Sequence, residues 1–133
     1  MTDQAGWAKP DLRILPRGYA VCRLPPDRTV AVPISAAFFS VTRTADETSV
    51  VCAEEDAPAG AEIEPGWRLL KIEGPLDFSE IGILATLSRP LAAAGVSIFV
   101  VSTWDTDYLM VRKEQWPMAR DALLADGYQL ARD

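Results

Sequence analysis

A chain of 133 residues, 49% hydrophobic and 24% charged, can bury an ordinary globular core without disulfide or metal staples. A net charge of −6, with both signs mixed along the chain, argues against a basic nucleic-acid footprint and against a polybasic membrane surface. The absence of histidine excludes Ser-His-Asp and Cys-His catalysis and every histidine-containing zinc site.

The stretch Met1 to Trp7 has no basic start followed by an apolar run, and no segment is long and apolar enough to span a bilayer. The expected location is the cytoplasm. Arg17 to Leu24 reads as a strand that stops at Pro25-Pro26. Between Pro25 and Ala37 a long helix has no room, and at most a short turn fits near Ser35 to Ala37. Phe38 to Arg43 and Thr48 to Cys52 form an expected hairpin around Ala45-Asp46-Glu47. Cys22 and Cys52 each sit in an apolar run, which fits buried thiols in a reducing compartment better than a disulfide framework. Ala57 to Pro65 is rich in turn formers and reads as a linker.

Beyond the linker the pattern is clearer. Trp67 to Glu73 is strand-like and ends at Gly74-Pro75. Asp77-Phe-Ser-Glu80 fits a capping box, and Leu84, Leu87, Leu91 and Ala94 follow at helical spacing. Gly95 is a natural helix stop, while Pro90 is an internal defect that removes a hydrogen bond. Val96 to Thr103 and Tyr108 to Arg112 predict a hairpin through Trp104 to Asp107. Trp116-Pro117 opens a second helix, Gly127 stops it, and Tyr128 to Leu130 predicts a last strand. The order β-α-β-β-α-β is ferredoxin-like, with both helices on one face of an antiparallel sheet. The expected class is α+β: a degenerate, mostly β half over residues 1–64 and a complete unit over residues 65–133.

The chemistry points to the start of the first helix. Unpaired amides and a positive dipole end suit a carboxylate. Gly82 lets a ligand approach the backbone. Asp77, Glu80 and Asp107 suit an ammonium or guanidinium group, and Trp104 can stack on a planar cation. Each residue also has a purely structural reading. Asp77 and Glu80 serve as caps, Gly82 permits close packing, Trp104 and Tyr108 pack the hairpin, and Asp105 and Asp107 are turn formers. Asp77, Asp105 and Asp107 lack calcium-loop spacing, so no metal or cofactor is expected. Nothing pairs a nucleophile with a base or makes a phosphate loop, so the expectation is not an enzyme.

The runs Gly74-Pro-Leu-Asp-Phe-Ser-Glu-Ile-Gly-Ile-Leu-Ala85, Pro90 to Phe99 and Ser102-Thr-Trp-Asp-Thr-Asp-Tyr-Leu-Met-Val111 resemble the paired-ACT family of the CASTOR arginine sensors and their small bacterial relatives. Tyr19 to Leu24 with Phe38 to Arg43 resembles the N-terminal part of those bacterial relatives. The resemblance implies an amino-acid-binding regulatory module. Its ligand would be held by Asp77, Glu80, Ile81 and Gly82 in the loop and by Trp104 and Asp107 in the hairpin. Asp77 stands where the arginine-sensor pattern has glycine, which leaves the ligand's identity open. The resemblance also implies side-by-side units, hence a homodimer with Val96 to Val101 and the first helix near the contact. Regulation would pass to a separate, unidentified protein. The other reading is a ligand-free interaction module acting by assembly, since small ferredoxin-like units expose edge strands.

Overall fold

The computed structural model describes residues 9–74 and 82–132. It divides into two compact units. One takes residues 17–67 and is built of strands. The other takes the residues up to Pro16 together with those from Arg68 onward, and carries both helices.

In the all-β unit, β2 (Tyr19–Leu24), β3 (Phe39–Arg43) and β4 (Thr48–Ala53) join the first part of β5 (Glu62–Ile72). Their order is β3-β4-β2-β5, and each neighbouring pair is antiparallel. The β3–β4 hairpin closes through Thr44, whose amide donates to the Glu47 carbonyl at 2.9 Å and whose hydroxyl accepts from the Asp46 amide at 3.1 Å. Alternate residues Ala20, Cys22 and Leu24 meet Val50 and Cys52 in one apolar cluster. No helix covers this cluster among the described residues. Val30, Ala57 and Ala61 pack on it from loops. Side chains hold the loop after β2 in place: Arg43 donates to the Arg28 carbonyl, Arg28 to the Ala59 carbonyl, and buried Thr48 to the Pro26 carbonyl. The expected absence of a long helix between Pro25 and Ala37 agrees with what is seen.

The α/β unit uses β1 (Leu12–Ile14), the rest of β5, α1 (Ile83–Ala93), β6 (Ile98–Ser102), β7 (Asp107–Arg112), α2 (Trp116–Ala125) and β8 (Leu130–Arg132). From β5 onward the order is the expected β-α-β-β-α-β. Leu70 and Ile72 of β5, Leu109 and Val111 of β7, and Leu12 and Ile14 of β1 alternate onto one face. Leu87 and Leu91 of α1 and Trp116, Ala119 and Leu123 of α2 pack against that face. Both helices end in the same way. Gly95, at φ 76°, donates to the Ala92 carbonyl while Val96 donates to Leu91; Gly127 and Tyr128 repeat the pattern on Leu124 and Leu123. Each terminus thus satisfies its last carbonyls and buries an apolar contact between the residue after the glycine and the last turn.

Three details differ from the expectations. β1 inserts between β5 and β8, antiparallel to β5 and parallel to β8, so the sheet is mixed and not antiparallel throughout. Strand β5 begins at Glu62, inside the stretch read as a linker, because Gly66 at φ 85° lets the strand pass Pro65 without ending. Helix α1 begins at Ile83, later than the capping pattern at Asp77 implied. Pro90 does lie inside α1, and the helix runs on through it to Ala93. No described helix is long and apolar enough to cross a membrane.

Candidate functional site

The exit of β5 is pinned on two sides. On one side the Glu73 amide donates to the Asp11 carbonyl at 2.9 Å, and the Glu73 carboxylate pairs with Arg13 at 2.9 Å. On the other stands the turn between β6 and β7. Its Thr106 hydroxyl donates to the Ile72 carbonyl at 2.6 Å.

That turn is closed by two threonines. The Thr103 amide donates to the Thr106 carbonyl at 2.8 Å, the Thr103 hydroxyl adds a second bond to it at 3.0 Å, and the Thr106 amide donates back to the Thr103 hydroxyl at 3.4 Å. Thr106 is 4% exposed, whereas Trp104 at the turn's tip is 79% exposed. Asp107, the first residue of β7, is half-buried opposite Ser102. The turn therefore presents an indole and the carboxylates of Asp105 and Asp107 on a backbone fixed to the neighbouring strand. A planar cation can stack on such an indole, and an ammonium or guanidinium group can pair with such carboxylates.

Helix α1 has Gly82 at its N-cap, at φ 82°, with no side-chain capping bond among the described residues and no acidic residue in its first turn. A left-handed backbone at this position suits glycine. The amides of Ile83, Leu84 and Ala85 have no partner within the helix, while the Thr86 amide already closes on the Gly82 carbonyl at 2.8 Å. The helix's positive end is left without a counter-charge from its own first turn, the arrangement that receives a carboxylate.

Trp104 and Asp107 thus share one latched turn, and Gly82 caps α1. Asp77, Glu80 and Ile81 lie outside the described residues, as does the capping pair expected of the first two. Thr103 and Thr106 were not singled out as individual site residues. Their signal is the Thr-x-x-Thr spacing within the Ser102 to Asp107 motif, which suits hydroxyl-closed turns.

The geometry fits what comparison with known proteins finds. The ACT domain model matches residues 62–125, from the start of β5 to the end of α2, and leaves out β1 and β8. A second family model, of an N-terminal domain, matches residues 17–60. The solved structure of protein Atu0741 from Agrobacterium tumefaciens is 36% identical, with a TM-score of 0.83 and coverage of 96% of each chain. Residues 62–125 of the chain are an ACT domain. The regulatory subunit of aspartate kinase from Thermus flavus shares the fold of this ACT chain at a TM-score of 0.64 and 11% identity, over 90% of this chain and 99% of that one. The human cytosolic arginine sensor for mTORC1 subunit 1 is 43% identical over 49 residues, 36% of this chain. That match spans only 15% of the sensor's length.

Proposed function

We propose that this ACT chain is a non-catalytic cytoplasmic regulatory module that binds an amino acid or an amino-acid-like molecule. The carrying observation is the turn of Thr103 to Thr106, fixed by its own hydroxyls and by the bond to Ile72, in the unit whose α1 starts at Gly82. The α1 amides would take the ligand's carboxylate. Trp104 and Asp107 would take its cationic or planar end. Asp77, Glu80 and Ile81, in the sequence between Gly74 and Gly82, complete the proposed set. The ACT family membership and the likeness to a protein named as an arginine sensor support an amino acid as the ligand class.

The same reading includes a homodimer formed near β6 and α1. Among the described strands β6 pairs only with β7, so one of its edges is open to a second chain. The regulated partner would be a separate protein.

Thermal unfolding in the presence of each of the twenty amino acids, followed by calorimetric titration of any that shift it, tests the proposal. A true ligand at one hundred times its Kd stabilises the native state by about 2.7 kcal/mol. Trp104→Ala and Asp107→Asn should abolish the shift without lowering the unliganded Tm. A flat response to all twenty would overturn the ligand reading. If the chain's mass in solution is also unchanged by them, the result favours an interaction module that acts by assembly alone. A monomeric mass across the micromolar range would refute the dimer.

A further inference from the structure

The all-β unit holds two nucleophilic groups that the proposed function does not use. Cys22 on β2 and Cys52 on β4 are both free thiols, 1% and 0% exposed. Strand register sets Cys22 opposite Val50 and Cys52 opposite Ala20. The cysteines are therefore diagonal neighbours on one face of adjacent antiparallel strands. Both enter the same apolar cluster, where the Cys52 thiol is the donor toward the Cys22 sulfur.

Diagonal neighbours have Cα atoms about 7–8 Å apart, while an unstrained disulfide spans about 4.4–6.8 Å. The cysteines are thus neighbours across a backbone spacing wider than an unstrained bridge spans, so closing the bridge requires the strands to shift. A disulfide here would draw β2 and β4 together along the diagonal. Strained disulfides are the readily reduced ones, as a reversible modification requires.

We propose that Cys22 and Cys52 form a reversible dithiol–disulfide modification site, oxidised by a hydroperoxide and reset by a dithiol reductant. In the first step a cysteine thiolate attacks one peroxide oxygen. The O–O bond breaks, leaving a sulfenic acid and, after protonation, a water when the oxidant is hydrogen peroxide. The second thiol then attacks the sulfenic sulfur, the S–O bond breaks, and a second water leaves as the S–S bond forms. Two thiols lose two protons and two electrons, and one peroxide becomes two waters. Cys22 is the attacking residue. Burial raises both thiols, but the bond from Cys52 opposes the rise at Cys22, whereas Cys52 is pushed up to about 12 by burial, by the charge of Cys22, by the bond to it, and by Asp56.

Access is the gate. The cover over the cysteines is mostly loop: Val30, Ala57 and Ala61 pack on the cluster from loops beside Phe39 of β3, and this unit has no α-helix among the described residues to cover it. The loop's ties include the bond from Arg28 to the Ala59 carbonyl, at 3.2 Å and exposed. Local opening of such a cover requires less free energy than unfolding the strands beneath it.

The test treats the reduced full chain with hydrogen peroxide under native conditions, alkylates remaining thiols under denaturing conditions, and reads intact mass and non-reduced peptides. The expected product is two hydrogens lighter, has both cysteines protected together, carries a Cys22–Cys52 linked peptide, and returns to the dithiol with dithiothreitol. Arg28→Ala should speed its formation several-fold. Cys52→Ser should stop at a sulfenic acid on Cys22, and Cys22→Ser should react more slowly. Two thiols that stay fully alkylatable after hours of peroxide would overturn the proposal. So would independent oxygen addition at each cysteine, or a disulfide that forms only between chains.

Discussion

In the α/β unit, the face made by Leu12, Ile14, Leu70, Ile72, Leu109 and Val111 is closed by side chains from two helices. In the all-β unit, the face made by Ala20, Cys22, Leu24, Val50 and Cys52 is closed by Val30, Ala57 and Ala61 from loops and by Phe39 of the edge strand β3. Both are strands burying alternate residues. The difference lies in the cover: long apolar side chains on two helices in one unit, and in the other a valine and two alanines on loops beside one edge-strand phenylalanine. A helix satisfies its own backbone polar groups as it covers. A loop must be tied down bond by bond, and here Arg28, Arg43 and Thr48 do so. The module's rigid and compliant parts are separated by this difference.

Equivalent truncations in the two cores should sharpen the comparison most. Leu91 of α1 is 0% exposed where the helix packs on the sheet, and Leu24 of β2 is 1% exposed beneath loops. Leucine to alanine in a core costs about 2–5 kcal/mol, more where the surroundings cannot collapse into the cavity. Leu91→Ala should fall near the top of that range and Leu24→Ala near the bottom, read from urea midpoints. Equal losses would show that the loop cover is as unyielding as the helices.

Alkali should strike the all-β unit, where both cysteines lie. The Cys52 thiol is raised from an ordinary 9.0 to about 12, chiefly by burial. The folded state therefore holds its proton more tightly than the unfolded chain. The corresponding stability is whole below the unfolded value and falls as pH rises through the interval between the two. Urea midpoints should decline between about pH 9 and pH 12, and Cys52→Ala should flatten that decline. A decline as steep in the variant would move its cause elsewhere.

Surface ion pairs should distinguish the units least. Arg13 pairs with Glu73 at 2.9 Å in the α/β unit, and Arg23 lies 3.5 Å from Glu62 and 3.8 Å from Glu47 in the all-β unit. Both arginines are substantially exposed. Arg13→Ala and Arg23→Ala should each cost no more than about 1 kcal/mol. A larger loss at Arg13 alone would mean that fixing Glu73 at the exit of β5 carries structural weight beyond the pair.

What could be read in advance follows the range of the interactions involved. Gly95 and Gly127 stop their helices through bonds within a few residues, and the β3–β4 hairpin closes over four, so local pattern sufficed. β1 is three residues long, too short to show a period, and exists because β5 and β8 flank it. The start of α1 was placed too early because Asp77 and Glu80 make a good capping pattern, whereas the observed cap is Gly82. At the candidate site, the hairpin turn that carries Trp104 and Asp107 was legible from the motif. The role of Thr106 was not, because its hydroxyl serves a carbonyl at Ile72, distant in sequence.

The register of β1 bears on how the chain is made. The stretch from Arg17 to Trp67 contains every strand partner its own ladders need, so it can assemble as soon as it leaves the ribosome. Leu12 pairs with Leu130, and Ile14 with Arg132. β1 must therefore wait until β8 has been synthesised. The loop-covered half can form first and stand alone for a time, while the half bearing the candidate site closes only when its two most distant strands meet.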